Sequence, residues 1–182
     1  GSGPVAIEFA GEICARLPQK KMTIVSNQKT FMERSCKAAH AYCEKFFKQN
    51  ANVTTIFNET VKLIKGNQIH LSSGTVLETD ICFVAIGFTA NTSFMQQAMP
   101  SYMERGGFVR VNKYLQVVNG NNVAAYNLWA MGDVILAAEE KLAQCAEKHA
   151  QVIGDNIDFF ETGQALQEYK SAIRPMLLSL GP

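Results

Sequence analysis

The spacing of hydrophobic residues changes period several times along the chain, and each change predicts an element. Val5, Ile7, Phe9, Ile13 and Leu17 recur among the small residues Ala6, Ala10 and Gly11 at helical spacing, and the pattern stops at Leu17-Pro18. A helix is expected there. Residues 21–26 are rich in β-branched side chains and read as a strand, followed by a polar loop over 27–32. Residues 33–49 read as an amphipathic helix with Ala39, Tyr42, Cys43, Phe46 and Phe47 on its apolar side, and 52–57 as a short strand. Residues 59–64 and 68–71 alternate like antiparallel strands around a turn at Lys65-Gly66-Asn67, and 76–80 continue the meander. The continuous apolar run over 81–86, closed by Gly87, is expected as a strand buried on both faces. Farther on, Val109 and Val111 alternate with Arg110 and Asn112 before Leu115 and Val117, which predicts a strand pair over Asn112-Lys113. Residues 128–131 read as a short buried strand and 173–178 as a closing strand. Between them, 139–160 form a long helix whose expected apolar stripe is Leu142, Ala143, Ala146, Ala150, Ile153, Ile157 and Phe160.

Chemistry enters at the opening residues, Gly1-Ser2-Gly3-Pro4-Val5-Ala6, which fit a G-x-G-x-x-G/A spacing. Gly1 allows a tight turn out of a strand, Gly3 lets a pyrophosphate approach the backbone, and Ala6 lets helix and strand pack closely. The following helix opens on Pro4 and Val5, and its N-terminus offers unpaired N–H groups and the positive end of its dipole to phosphate. The tripeptide alone is a weak signal. The helix and strand behind it make the core of a βαβ unit. The strand that should precede Gly1 is expected upstream, so the chain is expected to begin inside a domain.

The end of the second strand usually sets nucleotide choice, since an acid there accepts from the 2′-hydroxyl of NAD. Here stand Ser26 and Asn27, with no carboxylate, which leaves both NADH and NADPH open. Lys29 and Arg34 are candidate phosphate partners or plain solvated loop charges. Ile86 and Gly87 end the apolar run, where ligand crevices open in α/β sheets.

Composition narrows the classes. The chain has 182 residues, 47% apolar and 18% charged, with a net charge of +1, enough for one or two cored domains and no electrostatic case for nucleic acid. No apolar run reaches the ~18 residues of a bilayer-spanning helix. Cys14, Cys36, Cys43, Cys82 and Cys145 are odd in number and nowhere spaced C-x-x-C. Buried thiols in a reducing, cytoplasmic setting are expected, not a disulfide framework or a zinc site.

The order of elements, with four segments, resembles one family. Gly1 to Glu12 is similar to G-x-G-x-x-G-x-E-x-A-x-E. Val84-Ala85-Ile86-Gly87 with Ala90-Asn91-Thr92 resembles a strand-glycine-x-x-x-N-[TS] junction. Gly107-Phe108-Val109-Arg110-Val111-Asn112 with Leu115-Gln116-Val117 resembles G-x-[ILV]-x-V-[ND]…L-Q-V, and Asn122-Val123…Leu128-Trp129-Ala130-Met131-Gly132-Asp133 resembles N-[IV]-[YF]-A-[IM]-G-D. Each match is weak; four in family order over nearly the whole chain are specific. The family is the pyridine nucleotide–disulfide oxidoreductases, nearest their apoptosis-inducing-factor-like, ferroptosis-suppressor type.

The resemblance implies an α/β fold: a Rossmann-like NAD(P)-binding domain over residues 1–88, lacking its first strand, and the C-terminal part of an FAD-binding domain over 89–182. It implies FAD and NAD(P)H as cofactors, with hydride passing from NAD(P)H to FAD and electrons to a quinone-like acceptor. Gly132 and Asp133 would bind the flavin's ribityl chain; Asp133 as a helix cap is the alternative. The turn Lys141-Leu142-Ala143 would face the flavin pyrimidine, unless Lys141 is simply solvated. Glu8 is the candidate for chemistry, orienting the carboxamide or managing a proton after hydride transfer, or else a solvated helix glutamate. Glu12, His40 and His149 read as structural, and Trp129 as core or a stacking platform. The absent part of the flavin domain leaves apolar faces to cover, so contact with an upstream segment or a dimer is expected, and a membrane surface stays open as a partner. A flavin-free NAD(P)H-binding or docking module is the second function class, and a disulfide reductase with its cysteine pair elsewhere a third.

Overall fold

A computed structural model describes residues 1–172 and 175–181. The chain divides into two compact units, Gly1–Gly87 with Met176–Pro182, and Phe88–Pro175. The closing segment therefore belongs with the first unit, not with the second as its position in the sequence suggested.

In the first unit, helix α1 (Pro4–Arg16) starts on Pro4, whose fixed φ suits a first helical position. Strand β1 (Met22–Val25), helix α2 (Lys37–Gln49) and strand β2 (Val53–Ile56) follow. The strands pair in parallel, Met22 opposite Val53 through Val25 opposite Ile56, and α2 is the crossover that parallel pairing requires. Ile7, Ala10 and Cys14 of α1 pack with Ile24, Phe31, Met32, Cys43 and Phe47 in one core. Tyr42, expected on the buried side of α2, is 65% exposed; the helix turns only Cys43 and Phe47 fully inward. The antiparallel sheet β3 (Val61–Lys65), β4 (Gln68–Leu71), β5 (Val76–Glu78) forms as the turn residues predict. Lys65 faces Gln68, so Gly66-Asn67 is a two-residue turn, and Gly66 takes φ 56.

The run 81–86 corrects the sequence reading. It is assigned to no strand, and Ile81, Phe83, Val84 and Ile86 are all exposed, Ile86 to 81%. A parallel strand needs a hydrogen-bonded neighbour on its edge and cover on its faces. Gly1 stands between the run and β1: its nitrogen lies 2.7 Å from Val25 O, and a Cβ built on it would meet Ala85 O at 1.8 Å. Phe83 reaches α1, edge-on to Phe9 at 4.5 Å. The expected closing strand is likewise not formed over its described part; Ile173 and Arg174 lie outside the described residues. Met176, Leu178 and Leu180 instead pack as irregular chain against the first core.

In the second unit, the short helix α3 (Ser93–Gln96) precedes two 3-10 turns, Pro100–Tyr102 and Arg105–Gly107. Strands β6 (Gln116–Val118) and β7 (Ala124–Trp129) pair antiparallel. The expected strand over 109–111 is reduced to single bridges, Val109 to Met103 and Ile135 and Val111 to Val117. β7 is longer and more exposed than the expected buried strand over 128–131, and Met131 is 48% exposed. A third 3-10 turn, Gly132–Val134, leads towards helix α4 (Ala143–Glu161).

The buried face of α4 is Cys145, His149, Val152, Ile153 and Asn156, while Ala143, Ala150 and Ile157 are exposed. The stripe is rotated from the expected one because two polar residues on it find partners. Asn156 donates to Tyr114 O and Gln167 O and accepts from Gln167 N–H at 2.6 Å. A buried polar group with its bonds made is tolerated in a core. Leu115, Ile135, Val152 and Ile153 form the apolar centre, with Trp129 packed at its margin as a core residue. Among the described residues, no helix is long and apolar enough to cross a membrane.

Candidate functional site

The opening turn is an ordered part of the first unit. Ser2 is 2% exposed, and its Oγ lies 2.8 Å from Ser26 Oγ and 3.0 Å from Gln28 Oε1. Its carbonyl accepts from Met32 N–H at 2.9 Å. The loop 26–32 thus clamps the middle residue of Gly1-Ser2-Gly3. Gly3 is the N-cap of α1, in extended conformation, and a Cβ there would meet nothing within 4 Å. Open space stands where the spacing argument wanted a phosphate.

The donors at this turn follow from helix geometry. Ile7 N–H is the first to bond back, to Gly3 O at 3.1 Å. Pro4 carries no N–H, so Val5 and Ala6 supply the remaining amides of the first turn. No acidic residue occupies that turn, so nothing opposes an anion there. Val5 is 71% exposed.

Other residues of the expected nucleotide site are placed unevenly. Ser26 is 3% exposed and its hydroxyl accepts from Gln28 N–H as well as facing Ser2. That is a correction: the Ser26 side chain is spent inside the loop, and Asn27 is the exposed residue at the strand end. Lys29 and Arg34 are both exposed. Gly87 is exposed at φ 97 with room around it, beside exposed Ile86. Glu8 is half-buried, and its Oε1 is 3.4 Å from Ser179 N, so the carboxylate leans on the closing segment. Glu12 pairs with Arg16 at 2.9 Å, one helical turn on, as a structural residue.

The second cluster lies at the carboxyl end of β7. Gly132 turns the chain at φ 70, which a side chain would strain, and Asp133 follows, exposed at the 3-10 turn. The carboxylate accepts several hydrogen bonds and donates none, which suits sugar hydroxyls. Lys141 does not point to solvent. Its Nζ donates to Ile135 O at 2.6 Å and stands 5.7 Å from the Phe108 ring centre. Burial lowers its pKa, and the charges of Glu139, Asp133 and Cys145 push the other way. Leu142 caps α4, and exposed Ala143 is its first residue.

Sequence reasoning left the partners of this cluster unread. His149, 2% exposed, accepts from Gly132 N–H through Nδ1 at 3.1 Å. Its Nε2 lies 2.7 Å from Glu139 Oε1, and Tyr169 and Ser171 hydroxyls donate to Glu139 Oε2 at 2.7 and 2.8 Å. Burial alone would raise the Glu139 pKa; the Tyr169 and Ser171 hydroxyls and the His149 imidazole outweigh it and hold the carboxyl below its usual range. The available signal was the spacing of Cys145, His149, Val152 and Asn156 on one helical face. Among the described residues no group of His, Cys, Asp and Glu could hold a metal ion.

Comparison with known proteins adds an independent line. The family model described as pyridine nucleotide-disulphide oxidoreductase matches residues 1–150. Human ferroptosis suppressor protein 1 is 26% identical over 190 residues, which cover all of this chain and 50% of that protein. A Flammulina velutipes protein named FAD-dependent oxidoreductase FVFD30 is 26% identical over 194 residues, covering all of this chain and 56% of its own. The chain thus spans about half the length of these curated relatives. Among solved structures, reduced Bacillus anthracis CoADR-RHD superposes with a TM-score of 0.68 at 22% identity, over 93% of this chain and 30% of that one. That likeness carries the Rossmann-like α/β fold.

Proposed function

The chain belongs to the pyridine nucleotide–disulphide oxidoreductase family, and from that membership we propose that it forms part of an FAD-dependent NAD(P)H oxidoreductase. Residues 1–88 would hold the nicotinamide nucleotide, and residues 89–175 would contribute to the flavin site. Electrons would leave to a quinone-like acceptor, as the resemblance to the ferroptosis-suppressor type implies. Cys14, Cys43 and Cys145 are buried as expected of thiols here, whereas Cys36 and Cys82 are exposed; a cytoplasmic setting remains part of the proposal.

One observation carries the reading: the clamped opening turn with open space at Gly3. A pyrophosphate fits a backbone that lacks a Cβ and faces free helix amides. Val5 and Ala6 N–H would bond its oxygens, and Gly1 would keep the turn tight. Asn27 is the residue placed to meet the adenosine ribose, with Lys29 and Arg34 nearby in sequence for a 2′-phosphate. Glu8, on the second turn of α1, would orient the carboxamide or hold a proton, and would have to leave Ser179 to do so. Ile86 and Gly87 would border the crevice.

The flavin residues fit with one adjustment. Asp133 is exposed at a strand end and would accept from ribityl hydroxyls. Lys141 would act through its partly buried charge, with one N–H donated to Ile135 O. The start of α4 at Leu142 and Ala143 would set a positive helix end towards the flavin. The flavin supplies the redox chemistry when bound. These residues bind it and orient it.

The intact protein should purify yellow, and NAD(P)H should bleach its flavin absorbance without oxygen. A colourless protein that binds neither flavin nor nicotinamide nucleotide would overturn the proposal. One that binds NAD(P)H alone would leave a nucleotide-binding module in its place.

A further inference from the structure

The network behind the Gly132–Asp133 turn gives the two nitrogens of His149 different surroundings. His149 Nδ1 accepts from Gly132 N–H, and Nε2 faces Glu139 Oε1 at 2.7 Å. Side-chain exposure is 2% at His149 and 5% at Glu139, so water does not substitute for either contact. An imidazole unprotonated at Nδ1 accepts the Gly132 N–H, while Nε2 and Glu139 Oε1 are close but not aligned as a hydrogen bond. An imidazolium would set a second N–H against the Gly132 amide. Glu139 is itself fixed as an acceptor by the Tyr169 and Ser171 hydroxyls, and the Tyr169 ring stands edge-on to the imidazole at 4.4 Å.

We propose that neutral His149 is the positioning residue of the Gly132–Asp133 turn and that its protonation loosens the turn, and the flavin held by it, as pH falls; this rests on the flavin reading of that turn. Among the described residues, the titratable groups placed around the imidazole include Glu139 at Nε2, the Tyr169 ring and Cys145 one turn earlier on α4. Lys141, before α4, acts electrostatically with Glu139, Asp133 and Cys145. Of these, the group whose charge change bears on Gly132 N–H directly is the imidazole.

The test uses the intact, flavin-loaded protein and two variants. His149→Gln keeps an acceptor for Gly132 and a donor for Glu139 but does not titrate. His149→Phe keeps bulk and loses both. Flavin retention is followed by the fluorescence of released flavin from roughly pH 8 to 5. In the unaltered protein, the dissociation constant should rise about tenfold per pH unit once the imidazole takes up its proton. His149→Gln should hold flavin as the unaltered protein does at high pH and lose that slope. His149→Phe should bind roughly three- to tenfold more weakly at every pH, the range for one lost neutral hydrogen bond. A slope retained in His149→Gln, or undiminished binding in His149→Phe, overturns the proposal. Nitrogen-15 spectra of His149 and Gly132 separate this from failure of the flavin reading. If no flavin binds but the Gly132 amide shift follows the His149 titration, positioning stands and the flavin assignment falls. If the Gly132 shift ignores that titration, positioning falls as well.

Discussion

Gly11 sits on the inner face of α1, where the closing segment crosses the helix. A Cβ there would lie 2.8 Å from Gly181 N, 2.9 Å from Leu180 C and 3.0 Å from Leu180 Cα. All three are backbone atoms, so no rotamer change relieves the contact. Gly11→Ala gains about 1 kcal/mol from helix propensity and loses about 1–3 kcal/mol by overpacking. The net is a destabilisation of roughly 0–2 kcal/mol, or a midpoint up to about 8 °C lower for a chain of this size. Gly154 is the matched control. It is exposed within α4 and a Cβ there meets nothing within 4 Å. Gly154→Ala should gain the propensity term alone, raising the midpoint by about 2–4 °C. Thermal unfolding of the two variants, side by side, is the measurement. If Gly11→Ala raises the midpoint as much as Gly154→Ala, the closing segment does not pack on α1 as described.

Four other outcomes are expected. Gly3→Glu places bulk and negative charge at the opening turn and should abolish nicotinamide nucleotide binding; titration with unchanged affinity would remove the turn from the site. Asp133→Ala should lower flavin retention in the intact protein, and full occupancy after purification would discard that residue's role. Asn156→Ala leaves Tyr114 O, Gln167 O and Gln167 N–H unpaired and should cost about 2–4 kcal/mol in urea unfolding; a loss below about 0.5 kcal/mol, the size of an ordinary surface change, would contradict its burial. Glu139 has its carboxyl pKa lowered by folding, so the stability it adds is present above its unfolded value of 4.5 and is lost as pH falls below that. Glu139→Gln should therefore flatten the acid limb of the stability profile, and an unchanged limb would show the network is not formed.

Local signals were legible where neighbours in sequence complete the structure. The Gly66-Asn67 turn supplies its own positive φ and its own two strands, so the hairpin needed no distant information. The start of α1 was legible because Gly3, Pro4 and the apolar spacing all act within two turns. The apolar run over 81–86 was misread for the opposite reason. Composition states that such a run is able to be buried, but edge partners decide whether it is a strand, and Gly1 intervenes beside β1. Ser26 was expected at the ribose because strand ends face ligands; its hydroxyl was taken by Ser2, 24 residues away.

By itself the sequence determined the periods of its helices, the glycine spacing of the opening turn and the Gly132-Asp133 pair, because these are properties of residues close in the chain. Tertiary structure decided which face of α4 is buried, where residues 176–181 lie and what holds the Gly132 amide. Those depend on polar groups finding partners far away: Asn156 bonds Tyr114 across 42 residues, and Glu139 receives the Tyr169 hydroxyl across 30. A hydrogen-bonded pair reads as ordinary polar residues in either stretch alone. Only the fold that brings the two stretches together makes their burial favourable.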